Sequence, residues 1–484
     1  MSESDRPLDD DGFLLARESA DEARPDDRID DERMDEENTL KKEYVEAVEQ
    51  ALEDGDTKVV YELVEPLHPA DIADLLELFE REQRYQLAAA ITDLMTSEVV
   101  AELNDYVRED MMEALPPEAV AQIVDQLETD DAVQLIEDLD EANQRAILAE
   151  VEMEDRIAIQ SALSYPEETA GRLMSRDFVA VPEHLTVGDL IDFLRDGRDL
   201  PDDFYEIFVV DEKHHPVGTC ALSWVLRAPR TIPLADVMKR DQTLIPVLLD
   251  QEEVGLMFQK YNLISAAVID ENDRLVGQMT VDDVVHIISE EAGEDALLMS
   301  GAGEGDINEP IRLTVRSRLV WLVVNLGTAI IASSVVGAFQ GVIAAFALLA
   351  VLMPIVSGMG GNAGTQTLAV VVRALATNQL TQSNTLRMVG REFRIALANG
   401  TALGILIGIG TLIIFRNPDL SIVIALAMVI NNMVAGLSGV VVPVVLHRLD
   451  IDPAVSSSVF VTTMTDTMGF FSFLGLAALW GLGS

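Results

Sequence analysis

Five long apolar segments in the C-terminal part of the chain constrain the fold more than any other feature. They lie at about 319–340, 343–372, 393–415, 420–446 and 455–481. Roughly 20 apolar residues suffice for a helix to cross a bilayer, and lipid leaves the backbone no other hydrogen-bonding partner. We therefore predict a five-helix, all-α transmembrane domain at 319–484. The second segment is long and contains Pro354 and the run GMGGNAGTQ, so we expect a broken helix lining a cavity.

Charge divides the chain in two. The protein has 84 acidic and 33 basic residues, a net charge of −51, and all but five of the acids precede Ile311. Arginines flank the segments mainly on one side, and only Arg416 lies on the other. The positive-inside rule then predicts a cytoplasmic-membrane protein with its soluble half in the cytoplasm and its C-terminus outside. Such an acidic surface would repel nucleic acid, which is excluded as a partner.

The acidity has two explanations, and both can apply. Net charge keeps proteins dispersed in a very salty cytoplasm, and the chain has only six lysines, which fits salt adaptation. The acids can also bind divalent cations, so no single acid is decisive. Residues 1–38 are strongly acidic, lack the apolar core of a signal peptide and are predicted to be a disordered tail.

Residues 39–165 have apolar side chains at helical spacing, and proline opens helices at Pro69 and Pro117. Short helix pairs with similar starts suggest a superhelical N-terminal domain, although a generic helical adaptor explains this segment better when it is taken alone.

An internal repeat follows. Met174-Ser-Arg-Asp and Met238-Lys-Arg-Asp each precede a strand, a helix, a hairpin ending in Val-Gly and a final helix. This pattern resembles a tandem α/β CBS pair, with domains at 166–233 and 234–291. CBS pairs are regulatory modules that often bind adenine nucleotides such as ATP, and the absence of a phosphate loop from the sequence argues against an ATPase. Cys220, the only cysteine, is predicted to be buried in a strand.

Residues 292–318 contain several glycines and are predicted to form a short connecting helix near 295–300 and a linker. Four acids share one helical face there, where like charges repel, so the face is either solvated or a cation site. They are Glu290, Glu291, Glu294 and Asp295.

Asp466 lies in the middle of the last apolar segment, in VFVTTMTDTMGFFSFLG. A charge at the bilayer centre costs about 2.5–3.5 kcal/mol on insertion scales, which makes an intramembrane acid a candidate functional residue. It could be a protonated or hydrogen-bonded group that holds helices together, or a cation site on a permeation path. Mg²⁺ prefers oxygen ligands and retains several waters, so one aspartate beside glycine carbonyls and amide oxygens would suit it. On a dimer axis, two Asp466 carboxylates would face one ion.

An intramembrane enzyme is excluded on the residues present. The chain has no HExxH motif, and Asp466 is the sole aspartate well inside an apolar segment, whereas an aspartyl protease needs two.

The domain order and the motifs PIVSGMGGNAGTQ, VVRALAT, LDIDPA and TTMTDTMGFFSFLGLA resemble the MgtE family of magnesium channels and transporters. This resemblance implies a homodimer embedded in membrane lipid, with the pore at the dimer axis and hydrated Mg²⁺ held by Asp466. It also implies that the second segment lines the pore through Gly360, Gly361, Asn362 and Gln366.

The same resemblance implies that cytosolic Mg²⁺ closes the pore by binding acids of the soluble domains. The matching acids are Asp250, Glu252, Asp283, Glu291, Glu294 and Asp295. Two positions depart from the family pattern: Asn262 replaces an acid, and Asp450 replaces a glycine. The alternatives are a non-transporting membrane sensor built on the CBS pair, or a transporter of Co²⁺ or Mn²⁺.

Overall fold

The computed structural model describes residues 33–34, 39–137, 139–196, 200–201, 204–301, 309–449, 451–455 and 457–482. Nearly all of the predicted acidic tail, part of the predicted linker, and Asp450 lie outside this set. The chain divides into two compact units: Met1–Leu249 with Ala266–Met279, and Asp250–Ser265 with Thr280–Ser484.

The first unit opens with short helices whose apolar faces share one core, as the spacing of apolar residues predicts. Leu75, Leu76 and Ile136 are fully buried in it, and proline occupies the first turn of two helices, at Pro69 and Pro117. The helices are α1 Lys42–Glu53, α2 Thr57–Val64, α3 Pro69–Leu78, α4 Arg81–Ala90, α5 Ser97–Ala101, α6 Asp105–Glu113, α7 Pro117–Val124, α8 Thr129–Glu137, α9 Glu141–Glu150, α10 Met153–Ala162 and α11 Ala170–Leu173.

Two matching three-stranded sheets confirm the internal repeat. In each sheet the first strand runs parallel to the second, and in the first sheet the second strand pairs antiparallel with the third. Positive φ at His214 and Asp273 marks equivalent hairpin turns. Cys220 is buried in a strand as predicted. The strands are β1 Ala180–Pro182, β2 Glu206–Val210, β3 Pro216–Ala221, β4 Leu244–Pro246, β5 Ser265–Ile269 and β6 Leu275–Thr280; the helices are α12 Val187–Asp196, α13 Leu222–Arg227, α14 Leu234–Val237 and α15 Gln251–Tyr261.

The helix after the last strand, α16, runs without interruption from Val281 to Ser300. The prediction of a separate short helix near 295–300 was therefore wrong. No proline interrupts this stretch, and apolar residues including Val284 and Ile287 hold the first half of α16 in place. Gly301, with φ of 70°, ends the helix in the left-handed conformation that glycine allows.

Among the described residues, five helices are long and apolar enough to cross a membrane, which agrees with the predicted number. We call them the first to fifth spans: α17 Ile311–Ala338, α19 Leu348–Ala376, α20 Thr385–Phe415, α21 Pro418–Arg448 and α22 Ser457–Leu479. A short helix, α18 Gln340–Ala345, precedes the second span.

The second span is one continuous helix through Pro354 and the glycine run, so the predicted break was wrong. The interruption lies earlier, at Phe346–Ala347. The glycines do not unwind the helix; Gly360 and Gly364 instead allow neighbouring spans to approach closely.

Candidate ion-binding sites

Asp466 lies near the middle of the fifth span, where it is half-buried. The buried hydroxyl of Ser357 in the second span donates a hydrogen bond to its Oδ1. The carboxylate is thus tied to the neighbouring span and still keeps accessible surface. That combination leaves it available to an ion or to the water around one.

A fully buried amide, Asn431 of the fourth span, fixes the backbone beside this contact. Its Nδ2 donates to the carbonyl of Val356 at 2.8 Å, one residue before Ser357. A Cβ added at Gly360 would lie 2.0 Å from Asn431 Nδ2, and one at Gly469 would lie 2.9 Å from it. Glycine on both flanking spans therefore makes room for Asn431, a supporting residue that the sequence did not single out.

Gly360 and its neighbour Gly361 give a matched pair for a stability test. We expect Gly360→Ala to destabilise the protein by about 1–3 kcal/mol, because the new methyl overlaps a buried side chain. Gly361→Ala should be neutral or slightly stabilising, since no described residue has an atom within 4 Å of its Cβ position. Thermal unfolding of the detergent-solubilised variants checks this, and equal melting temperatures would contradict the packing described here.

Two other predicted pore residues, Asn362 and Gln366, are exposed on the second span. They lie on a different face from the buried Gly360 and Gly364. In the described part of the chain no hydrogen bond joins either amide to Asp466. A single chain therefore brings Asp466 together with Ser357 but does not bring it together with these amides.

The third span contains a buried acid, Glu392, that the sequence analysis missed. It borders a cavity of about 220 Å³ together with Thr367, Asn399 and Asn432. Its carboxylate lies 3.5 Å from Thr367 Oγ1 and 3.6 Å from Arg391 Nη1. The predicted start of this span at 393 placed Glu392 outside it, because nearby arginines lower the local hydropathy.

Outside the spans, α15 and α16 bring several predicted acids together. Glu252, Glu291 and Asp295 line a cavity of about 540 Å³ that also borders Arg373 at the end of the second span. Gln251 Nε2 donates to Glu291 Oε1 at 2.5 Å. We call Glu252, Glu291 and Asp295, together with Asp452, the acidic cluster.

Burial and neighbouring like charges both raise pKa values in the acidic cluster. Partial burial raises the pKa of Glu252 to about 7, and repulsion from Glu291 and Asp295 adds to this shift. Burial raises the pKa of Asp295 to about 6, with the next contributions from Asp452 and Glu291. A bound cation would relieve this repulsion.

Asp452 belongs to the loop before the fifth span and was not among the predicted ligands. Its charge raises the pKa of both Glu252 and Asp295, and its Oδ1 accepts a hydrogen bond from the Ala454 amide at 2.7 Å. The motif LDIDPA contains this residue, but only the fold shows that it faces α16.

The last turn of α16 reaches the spans themselves. Leu298 and Met299 pack against Leu368 of the second span and Val461 of the fifth. Ser458 Oγ also donates to the Met299 carbonyl at 2.5 Å. The helix that bears Glu291 and Asp295 therefore ends against the two spans that hold Ser357 and Asp466.

The other predicted ligands have separate surroundings. Asp250 begins α15 and accepts the Glu252 amide at 2.9 Å. Asp283 accepts hydrogen bonds from the Thr280 hydroxyl and amide, an arrangement that caps α16, and burial raises its pKa. Glu294 is exposed. Asn262, the departure from the family pattern, ends α15 in the left-handed conformation that Asn tolerates.

No group of three or more acidic, histidine or cysteine side chains in the described ranges is close enough to hold a metal directly. An ion at Asp466 or at the acidic cluster would therefore be bound largely through water, as Mg²⁺ often is.

Comparisons with known proteins match each part of this chain to a family model. Family models match the divalent cation transporter domain of MgtE at 353–476, the MgtE intracellular N domain at 67–168 and CBS domains at 170–222 and 234–290. The chain is 30% identical over 442 residues to magnesium transporter MgtE of Thermus thermophilus, covering 90% of this chain and 97% of that protein. It is 28% identical over 428 residues to magnesium transporter MgtE of Bacillus subtilis, covering 88% and 95%.

A solved structure of the cytosolic domain of the Mg²⁺ channel MgtE in complex with ATP is 29% identical, with a TM-score of 0.45, covering 50% of this chain and 99% of that one. The near-complete coverage of the two relatives is the stronger finding, and the three domain types follow one another in the order that the sequence predicts. The chain belongs to the MgtE family, whose members are membrane transporters and not enzymes.

Proposed function

We propose that this protein transports Mg²⁺ across the cytoplasmic membrane along a path that includes Asp466. The observation that carries the proposal is a half-buried carboxylate in the middle of a candidate span, hydrogen-bonded to Ser357, in a chain whose full-length relatives are named magnesium transporters. An acid at that depth is costly, so a role in ion passage explains its presence better than helix packing alone.

The exposed amides of the second span support a homodimeric pore. Asn362 would be poorly solvated facing lipid, since hydrocarbon offers no hydrogen bonds, whereas Gln366 borders the polar cavity beside Glu392. A second protomer would cover that face and bring a second Asp466 to the axis. Two carboxylates would then hold one hydrated ion, with Gly360, Gly361 and the two amides lining the path and contributing oxygen atoms.

The acidic cluster supports closure by cytosolic Mg²⁺. With little Mg²⁺ present, repulsion among Glu252, Glu291 and Asp295 opposes a compact arrangement of α15 and α16. Bound Mg²⁺ would remove that repulsion and favour the closed pore, provided that it binds the closed form more tightly. We propose Asp250, Asp283 and Glu294 as further residues that could bind Mg²⁺ in the soluble domains.

Flux measurement in proteoliposomes tests the proposed function. We expect the purified full-length protein to admit Mg²⁺, as followed by an internal Mg²⁺-sensitive dye, at a rate above that of protein-free liposomes. A non-transporting CBS-containing sensor predicts no such flux. The same assay with Co²⁺ or Mn²⁺ tests transport of another divalent cation, and faster entry of either ion than of Mg²⁺ would overturn the substrate assignment.

The pKa values of the acidic cluster predict how its Mg²⁺ affinity depends on pH. Mg²⁺ binds the deprotonated carboxylates, so protons compete with it as pH falls through the pKa of Glu252, about 7, and of Asp295, about 6. Their folded-state pKa values are raised, so the metal-free form gains stability over the same fall in pH. We expect affinity for Mg²⁺ to drop roughly tenfold from pH 8 to pH 6, because Glu252 is then largely protonated.

Calorimetric titration of the full-length protein at the two pH values checks this, and Glu252→Gln should flatten the dependence. Equal affinities in the unmodified protein would contradict the role given to Glu252.

The arginine distribution supports an orientation with the soluble domains and the N-terminus in the cytoplasm and the C-terminus outside. The CBS pair makes ATP or another adenine nucleotide a candidate second ligand, which equilibrium binding of labelled ATP would test.

A further inference from the structure

An arginine-lined pocket lies where the second span ends and the third begins. It has a volume of about 400 Å³ and is lined by Arg373, Arg387 and Arg391, with Gln379 and Asn384 beside them and apolar side chains completing the wall. Arg387 and Arg391 are four residues apart on one helix and therefore share a face. Three arginine residues thus line one pocket.

Two of these three cations have no carboxylate partner among the described residues. In the described part of the chain, no carboxylate lies within 4.0 Å of a side-chain nitrogen of Arg373 or Arg387. Arg391 has one such neighbour, Glu392, at 3.6 Å, but that carboxylate borders the adjacent cavity. Two arginines without a carboxylate partner leave positive charge at this pocket, which suits an anionic ligand.

The pocket is built on an ordered loop. Leu380 is buried against Val371 and Val440, which anchors the loop to the spans. Asn384 Nδ2 donates to the Gln379 carbonyl at 2.8 Å, and its Oδ1 accepts the Thr381 amide at 2.9 Å. The wall that faces the arginines is therefore fixed in place before any ligand arrives, which lowers the entropic cost of binding.

We propose that this pocket binds the phosphate group of an anionic phospholipid. Guanidinium groups match phosphate in charge and in fork geometry, and the pocket is large enough for a glycerophosphate headgroup. It lies at the ends of two candidate spans and has apolar wall residues such as Val370 and Met388, so it can accept the start of an acyl chain. Basic pockets between spans at the cytoplasmic surface suit such headgroups.

Native mass spectrometry of the full-length protein, titrated with phosphatidylglycerol or phosphatidylcholine, tests the proposal. We expect phosphatidylglycerol to bind more tightly, and Arg387→Gln to weaken its binding about tenfold, because one charge-assisted contact is lost. Combining Arg373→Gln, Arg387→Gln and Arg391→Gln should abolish the preference for the anionic lipid.

Arg394→Gln is the matched control. Arg394 lies on the same helix but does not line the pocket, and its Nε donates to the Gly390 carbonyl at 3.0 Å. Its substitution should leave phosphatidylglycerol binding unchanged. The proposal is overturned if a folded triple variant binds the anionic lipid as tightly as the unmodified protein, or if Arg394→Gln weakens binding equally. Binding of inorganic phosphate that depends on the same arginines, with no preference for phosphatidylglycerol over phosphatidylcholine, would uphold a phosphate site but overturn a lipid as its source.

Discussion

Replacing Asp466 with Asn should reduce Mg²⁺ flux into proteoliposomes by at least about 100-fold. Asn has nearly the same shape and retains an oxygen that can accept the Ser357 hydrogen bond, so the packing of the second and fifth spans should survive. The variant loses the negative charge that compensates the ion for its lost hydration. A charge-assisted contact contributes about 1.5–3 kcal/mol, and in a dimer two such contacts would be lost.

Two control variants distinguish loss of the Asp466 charge from a change in the packing of the spans. Ser357→Ala removes the hydrogen-bond donor but not the charge, so it should slow flux less than Asp466→Asn. Glu392→Gln neutralises the other buried acid of the spans and should leave flux within about threefold, roughly 0.6 kcal/mol. If Asp466→Asn transports normally while Glu392→Gln does not, the permeation path lies at the Glu392 cavity and the pore assignment is wrong.

Neutralising the acidic cluster should leave the pore open when cytosolic Mg²⁺ is high. We expect Glu291→Gln with Asp295→Asn to raise the half-inhibitory Mg²⁺ concentration at least about tenfold, because the ion loses two of the carboxylates that it would bridge. Patch recording with Mg²⁺ varied on the side of the soluble domains measures this directly.

A second double variant, Glu253→Gln with Asp282→Asn, is the matched control. Both residues are exposed acids of α15 and α16 and lie outside the cavity that the acidic cluster lines. Their loss changes the net charge by the same amount, so it tests whether total surface charge governs closure. Equal shifts in the two double variants would assign the effect to general electrostatics and refute a specific sensor.

The parts of the fold that depend on transfer from water to lipid were predictable from the sequence. Hydropathy gave the number of spans, and the cost of a charge in hydrocarbon singled out Asp466. The partner of that carboxylate was not predictable. Ser357 reaches Asp466 only because of how the second and fifth spans are rotated against each other. From the sequence, many other small polar residues of the spans were equally good candidates for this hydrogen bond.

The remaining differences between prediction and structure concern the ends of helices and contacts between residues far apart in the chain. The third span begins at Thr385, within an arginine-rich stretch whose long side chains can extend to the membrane surface, so hydropathy alone placed Glu392 outside it. The electrostatic effect of Asp452 on Glu252 and Asp295 joins residues far apart in the chain, which no local sequence pattern reports. The glycine run suggested a broken helix because composition does not distinguish backbone flexibility from close packing.

The continuity of α16 has a mechanical consequence. An unbroken helix of 20 residues extends about 30 Å and is stiff over that length. Glu291 and Asp295 lie on the same rigid rod as Met299, which bears on the second and fifth spans. Because the helix is not interrupted between them, a small tilt of α16 at Glu291 and Asp295 would displace its C-terminal end at Met299. Coupling between sensor and pore would then require only a change in angle, with no unfolding or refolding along the way.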